Sequence, residues 1–266
     1  MKTFWGAALF SFFMFSSGIS AEMMDGIKVK AWDAGEGKRV VNLFARPGAR
    51  QRILVLTPDG KAKAAVVLFA GGNGNVRILK DGSIRNGNNF LVRTRETFVS
   101  HGLTAAVFDK PSDRDTLKEN RTEDWHVTDV AAVVMYLKKT YRLPVWLVGT
   151  SRGTMTVGHA GAKLTSEIAG VVFTSSMNEA AALDIGRITV PALITHHKQD
   201  ECHVTTPAAA TDIAKRLVKA PKVEVMWFTG GRSPGRECGP KAYHGYLGIE
   251  DDVVGRIAGF IAANTH

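Results

Sequence analysis

The sequence predicts a single α/β domain: a mostly parallel central sheet of about eight strands, with helices on both faces. Three observations carry this expectation. Short, solidly apolar runs at residues 64–70 and 103–108 have the composition of strands buried on both faces. Between such runs lie segments whose apolar residues recur at three- and four-residue intervals, the spacing of a helix with one buried stripe. The two kinds of segment alternate, and strand–helix–strand alternation closes as a parallel sheet with crossover helices.

The elements follow in order. Lys2, a nearly all-apolar run at 4–15 and the small residues of 16–21 read as a secretory signal peptide cut after Ser20 or Ala21. That sets a leader at 1–21 and a domain at 22–266. The apolar run is shorter than the ~20 residues that span a bilayer, so no stable membrane span is expected, and the mature chain is expected to be secreted or periplasmic. Residues 27–31, 39–44 and 52–57 are short alternating or β-branched runs, with turns at Arg46-Pro47-Gly48 and Pro58-Asp59-Gly60. They predict an antiparallel start to the sheet. Buried strands are expected at 64–70, 103–108, 144–148, 168–173, 192–195 and 223–228. Helices are expected at 89–101, 124–141, 152–164, 207–218 and 250–263. In the second of these Trp125, Val130, Val133, Val134 and Leu137 form the clearest stripe; in the first Phe90, Val92, Thr94 and Phe98 are loosely spaced. No linker, repeat or low-complexity segment divides the chain.

Composition limits the function classes. With 266 residues, 45% hydrophobic and 22% charged, the chain can bury a large core and is too apolar to be disordered. The formal charge of +9 favours anionic surroundings, yet no basic cluster is interleaved with aromatics, so nucleic-acid binding is not expected. Two cysteines exclude a disulfide-dense scaffold and allow one intramolecular pairing.

One motif carries chemistry. Gly149-Thr150-Ser151-Arg152-Gly153 follows a strand and opens a helix, the context in which Gly-x-Ser-x-Gly lifts a serine hydroxyl above the sheet edge. A serine needs a base. Of the eight histidines, His244 lies in the loop between the last strand and the last helix, where loops at the carboxyl ends of parallel strands converge. The base needs an acid to fix its tautomer. Asp200 follows the strand at 192–195, with Glu201 and Asp184 as rivals. The order Ser151, Asp200, His244 is that of one hydrolase fold. His196, His197, Asp200, Cys202 and His203 are also crowded together, but they match no zinc spacing, and no metal is expected. Gly71-Gly72-Asn73-Gly74 would need a glycine at 77 to read as a dinucleotide loop; Arg77 stands there. The stretch from Phe108 to Arg114 either borders the site or is a plain surface loop.

Taken together, Phe69-Ala70-Gly71-Gly72-Asn73-Gly74, residues 149–153, Asp200 and His244-Gly245 resemble the α/β-hydrolase superfamily, most closely its dienelactone-hydrolase-like and secreted-esterase members. The resemblance covers roughly residues 28–263. It implies an eight-stranded, largely parallel sheet, a serine nucleophile and no cofactor. It also implies an oxyanion hole from the backbone N–H of Arg152 and of Gly72 or Asn73. Two departures are Ala70, where many members have histidine, and Arg152, whose side chain is expected in a salt bridge. The expected activity is cleavage of an ester in a small or acylated substrate through an acyl-enzyme. A peptidase, a thioesterase or a non-catalytic binding protein on the same fold are the alternatives. Only residues 174–191 lie where lids are inserted in this family, so no large lid and an open cleft tolerant of bulky groups are expected. Cys202 lies two residues after Asp200 and Cys238 six before His244. If those loops meet, a Cys202–Cys238 disulfide is expected to brace them.

Overall fold

The computed structural model describes residues 20–265. Of the expected leader, residues 1–19 lie outside the described residues; a cut after Ser20 or Ala21 would trim the first strand, β1 (Ser20–Met24). The other strands are β2 (Ile27–Asp33), β3 (Lys38–Phe44), β4 (Gln51–Leu56), β5 (Ala65–Phe69), β6 (Thr104–Phe108), β7 (Val145–Ser151), β8 (Gly170–Ser176), β9 (Ala192–His197) and β10 (Val223–Phe228). They form one ten-stranded sheet in the order β1-β2-β3-β4-β6-β5-β7-β8-β9-β10. The first four strands run antiparallel, including the β4–β6 pair, and all pairs from β6 to β10 are parallel. The sheet therefore exceeds the expected eight strands. Part of the excess is β1, which pairs with β2 and of which only Ser20 and Ala21 fall in the expected leader.

The buried parallel strands divide their side chains between two cores by the two-residue period of a strand. Val67, Phe69, Leu147, Val171 and Ile194 face one core; Val66, Leu68, Val148, Val172 and Leu193 face the other. The first is covered by α3 (Asp124–Tyr141), α4 (Gly153–Lys163) and α5 (Pro207–Arg216). The second is covered by α1 (Phe90–Arg93), α2 (Arg95–Ser100) and α6 (Glu250–Ala263). The expected helix at 89–101 is thus broken in two. Thr94 donates its hydroxyl to the Phe90 carbonyl at 2.8 Å and takes a non-helical backbone at ψ 8°, so the helix restarts after it. Between β8 and β9 there are only two short 3-10 turns, Asn178–Ala182 and Ile185–Arg187, and no inserted lid domain.

This topology selects the place for a site. From β5 the chain crosses through α1 and α2 on one face to β6; from β7 it crosses through α4 on the opposite face to β8. The connections leaving the neighbouring strands β5 and β7 therefore run to opposite faces, which makes their carboxyl ends the switch point at which a crevice opens. The loops at that point are the glycine run after Phe69 and the turn at Ser151. Asp109, at the end of β6, fixes the continuation of the glycine loop. It is 7% exposed and accepts the N–H groups of Val76, Ile78 and Lys110 at 2.9 Å and of Arg77 at 3.1 Å. The residue after Phe108 is therefore a buried brace.

Asp109→Asn replaces one acceptor oxygen by an NH₂ group that faces the Ile78 N–H. We expect a loss of about 2 kcal/mol, seen as a melting temperature lower by roughly 5 °C. An unchanged melting temperature would show that the loop holds itself.

Candidate active site

Ser151 sits in the left-handed region at φ 52°, a conformation that costs a non-glycine residue about 1–2 kcal/mol. Close packing imposes it. A Cβ on Gly153 would lie 2.1 Å from the Phe69 carbonyl oxygen, and one on Gly149 would lie 2.5 Å from the Gly153 carbonyl oxygen. Both positions need glycine because α4 starts against the end of β5. The Thr154 hydroxyl donates to the Ser151 carbonyl at 2.6 Å. The Arg152 N–H, at the start of α4, has no backbone acceptor among the described residues and belongs to the positive end of the helix. The Arg152 side chain pairs with Glu119 at 3.9 Å, as its expected salt bridge.

The loops after β9 and β10 bring Asp200 and His244 together. His244 Nδ1 lies 3.0 Å from Asp200 Oδ2, and both residues are 5% exposed. The tautomer with the proton on Nδ1 makes that nitrogen the donor and leaves Nε2 able to accept a proton. Asp200 also accepts from the Cys202 N–H at 3.0 Å and the Thr205 hydroxyl at 3.2 Å, and His196 Nε2 lies 3.3 Å from it. Burial alone would raise the Asp200 pKa. Hydrogen bonds from His196 and His244 outweigh it, with help from the Cys202 N–H, and hold the carboxyl at about 2. This contribution to stability is complete above the ordinary carboxylate pKa and is lost as the pH falls through about 2. The rival Glu201 is exposed, as is Asp184.

The His244 turn is pinned from several sides. The Ser175 hydroxyl donates to the His244 carbonyl at 2.8 Å, and the buried Tyr246 hydroxyl donates to the Thr195 carbonyl at 2.9 Å. Arg93, paired with Glu250 at 2.9 Å, donates to the Gly245 carbonyl. Cys202 and Cys238 form a disulfide with Cα atoms 4.6 Å apart, joining the Asp200 loop to the loop before His244.

Gly71, Gly72, Phe90, Ser151, Cys238 and His244 line one cavity of about 190 Å³. Larger depressions exist, one of about 760 Å³ beside Lys30, Arg46 and Arg50, but Ser151 and His244 open onto the smaller one. Of the two loop positions expected to offer an N–H, Gly72 faces this cavity. Asn73 is not among the residues lining it; its carbonyl accepts from the Leu117 N–H at 2.8 Å and its side chain from the Asn75 N–H at 3.1 Å. The crowded histidines separate. His196 Nε2 contacts Asp200 and the Thr205 carbonyl, whereas His197 Nε2 lies 3.0 Å from the Gly230 carbonyl and its ring stacks on Tyr243. Sequence reasoning missed Thr205 beside Asp200 and Ser175 behind His244, and placed His196 only in the crowded cluster. Ser175 reaches His244 through a contact 69 residues apart, which no spacing signals.

No protein-family model and no curated protein sequence matches the chain. Solved structures do. Est1E from Butyrivibrio proteoclasticus superposes with a TM-score of 0.61 at 17% identity, covering 86% of this chain and 99% of that one. A serine hydrolase without lid from Xanthomonas campestris gives 0.60 at 15%, with 86% and 95% covered. The Pyrococcus furiosus esterase Pf2001 gives 0.63 at 13%, with 86% and 93% covered. The chain has the α/β-hydrolase fold.

The disulfide closes a loop of sequence separation 36. Replacing both cysteines by serine should cost up to roughly 4 kcal/mol by the loop-entropy model. The loss is measurable by urea unfolding of oxidised wild type against the variant. A variant with unchanged stability would remove the brace.

Proposed function

We propose that this chain is a serine hydrolase that cleaves carboxylic esters through an acyl-enzyme. The observation that carries this reading is the meeting of Ser151, held left-handed on its turn, with the His244–Asp200 pair at one cavity on the switch point of the sheet. The esterases and serine hydrolases among the structural neighbours support the ester class.

Ser151 Oγ attacks the carbonyl carbon while its proton passes to His244 Nε2. Asp200 accepts the Nδ1–H, fixes the tautomer and stabilises the imidazolium. The N–H groups of Arg152 and Gly72 receive the developing oxyanion. Collapse of the intermediate expels the alcohol, which takes the proton from His244. Water, deprotonated by the same nitrogen, then releases the acid.

A cavity of about 190 Å³ beside Ser151 suits a short acyl chain, with any bulk of the ester on the solvent side. Export to an oxidising compartment, by secretion or to a periplasm, is part of the proposal. The apolar run after Lys2 and the Cys202–Cys238 bridge support it. Among the described residues no helix is long and apolar enough to cross a membrane.

On p-nitrophenyl acetate, Ser151→Ala should lower kcat by about 10⁴-fold or more with an unchanged melting temperature, and Asp200→Asn by about 10⁴-fold. Near wild-type turnover in Ser151→Ala would refute the nucleophile. In a p-nitrophenyl ester series, kcat/KM should fall from the acetyl and butyryl esters to the decanoyl ester. A rise with chain length would contradict the short acyl pocket.

A further inference from the structure

Behind the glycine loop lies a charged side chain that this mechanism leaves unused. Arg121, between β6 and α3, is 3% exposed, and no carboxylate among the described residues pairs with it. A buried guanidinium without an anion carries a penalty of several kcal/mol, so such a residue stands out as a candidate for function. Its donors are spent on the loop after β5. Nη2 donates to the carbonyls of Ala70 at 2.8 Å and Gly72 at 3.2 Å, and Nη1 donates to the Thr156 hydroxyl on α4 at 3.3 Å. Nε is buried without a partner. Gly74 leaves the space, since a Cβ there would lie 3.1 Å from Nη2.

These contacts have a directional consequence. The guanidinium grips the peptide before Gly71 and the peptide after Gly72, so the peptide between them is held at both ends. In that middle peptide the Gly71 carbonyl accepts from the Gly74 N–H at 3.2 Å. In a planar trans unit the N–H points opposite to the C=O. The Gly72 N–H is thereby turned away from Gly74; it makes no internal hydrogen bond, and Gly72 lines the cavity.

The charge is also undiluted. His126, whose Nε2 lies 3.0 Å from the same Thr156 hydroxyl, is kept neutral: burial first, then the charge of Arg121, pushes its pKa down to about 3. Burial, with a smaller contribution from Arg152, pulls the Arg121 pKa down to about 9, which leaves it protonated at neutral pH.

We infer that Arg121 is a positioning residue for the oxyanion site, holding the Gly72 N–H from behind and placing a fixed positive charge next to the loop that receives the oxyanion. The inference rests on the serine-hydrolase reading. A neutral ester carbonyl gains little from this charge, whereas the tetrahedral oxyanion gains much more in a dry, low-dielectric setting. The effect therefore belongs in kcat rather than KM.

The test compares wild type, Arg121→Met and Arg121→Lys for hydrolysis of p-nitrophenyl acetate and for inhibition by phenylboronic acid. That acid forms a bond from Ser151 Oγ to boron and becomes a tetrahedral anion, while the serine proton passes to His244. Wild type without esterase activity would defeat the hydrolase reading itself and is scored separately. With an active wild type, Arg121→Met should lose roughly 10- to 100-fold in kcat with KM within about threefold. Boronate affinity should weaken by a similar factor, and Arg121→Lys should recover part of both. A loss of thermal stability with kcat and boronate affinity within about twofold of wild type would overturn the inference, as would a change confined to KM. If the variants do not fold, the guanidinium resonances of Arg121 in ¹⁵N-labelled wild type decide. They should be protected from exchange and should shift when phenylboronic acid binds; unprotected or unmoved resonances would overturn the inference.

Discussion

Much of the molecule depends on one close approach, that of α4 to the end of β5. With glycine at 153 the helix can start against the Phe69 carbonyl, and with glycine at 149 the strand can run beneath that helix. Only then does Ser151 turn into the left-handed region and reach the crevice at which the connections from β5 and β7 part. The turn's strain, about 1–2 kcal/mol, is small against what the parallel core supplies. Both sheet faces are covered along β5, β6, β7 and β8, where every side chain except that of Ser151 itself is buried. A rigid, two-sided core is what allows a strained residue to persist at one edge.

Around that turn the charges are arranged in opposite ways. The anion Asp200 is satisfied by several donors, and its carboxyl is held at about 2, so it stays ionised while it orients His244. The cation Arg121 is offered carbonyls and a hydroxyl and no anion. One buried charge is compensated on the base side of the cavity and the other is left uncompensated behind the glycine loop. On the proposed serine-hydrolase reading, that asymmetry sets a field across the ester carbonyl without any group having to move during the reaction.

What could be read from the sequence was whatever is written in local pattern. The stripe from Trp125 to Leu137 is α3, whose bounds agree with expectation, and the solid apolar runs are the parallel strands. Gly149-x-Ser151-x-Gly153 was legible because the clash that requires glycine lies within one strand–turn–helix unit. The pairing of Asp200 with His244 was legible only through chain order and the convergence of loops. The break at Thr94 was not, because it depends on a side chain bonding to its own helix. Neither was β1 beside β2, since its first two residues also fit the end of a leader. Arg121 was invisible because its partners are distant backbone carbonyls, which no residue pattern encodes, and the crowding of His196 near Asp200 did not by itself show that its ring reaches the carboxylate.

The central claim is that Ser151, His244 and the N–H groups of Arg152 and Gly72 converge on one reacting centre. A crystal structure of the wild-type protein after reaction with a methyl fluorophosphonate tests this most directly. The account expects phosphorus bonded to Ser151 Oγ and the phosphonyl oxygen about 2.7–3.1 Å from the nitrogens of Arg152 and Gly72. His244 Nε2 should lie within hydrogen-bond reach of the adduct. An adduct on another residue, or a phosphonyl oxygen pointing away from both N–H groups, would contradict it.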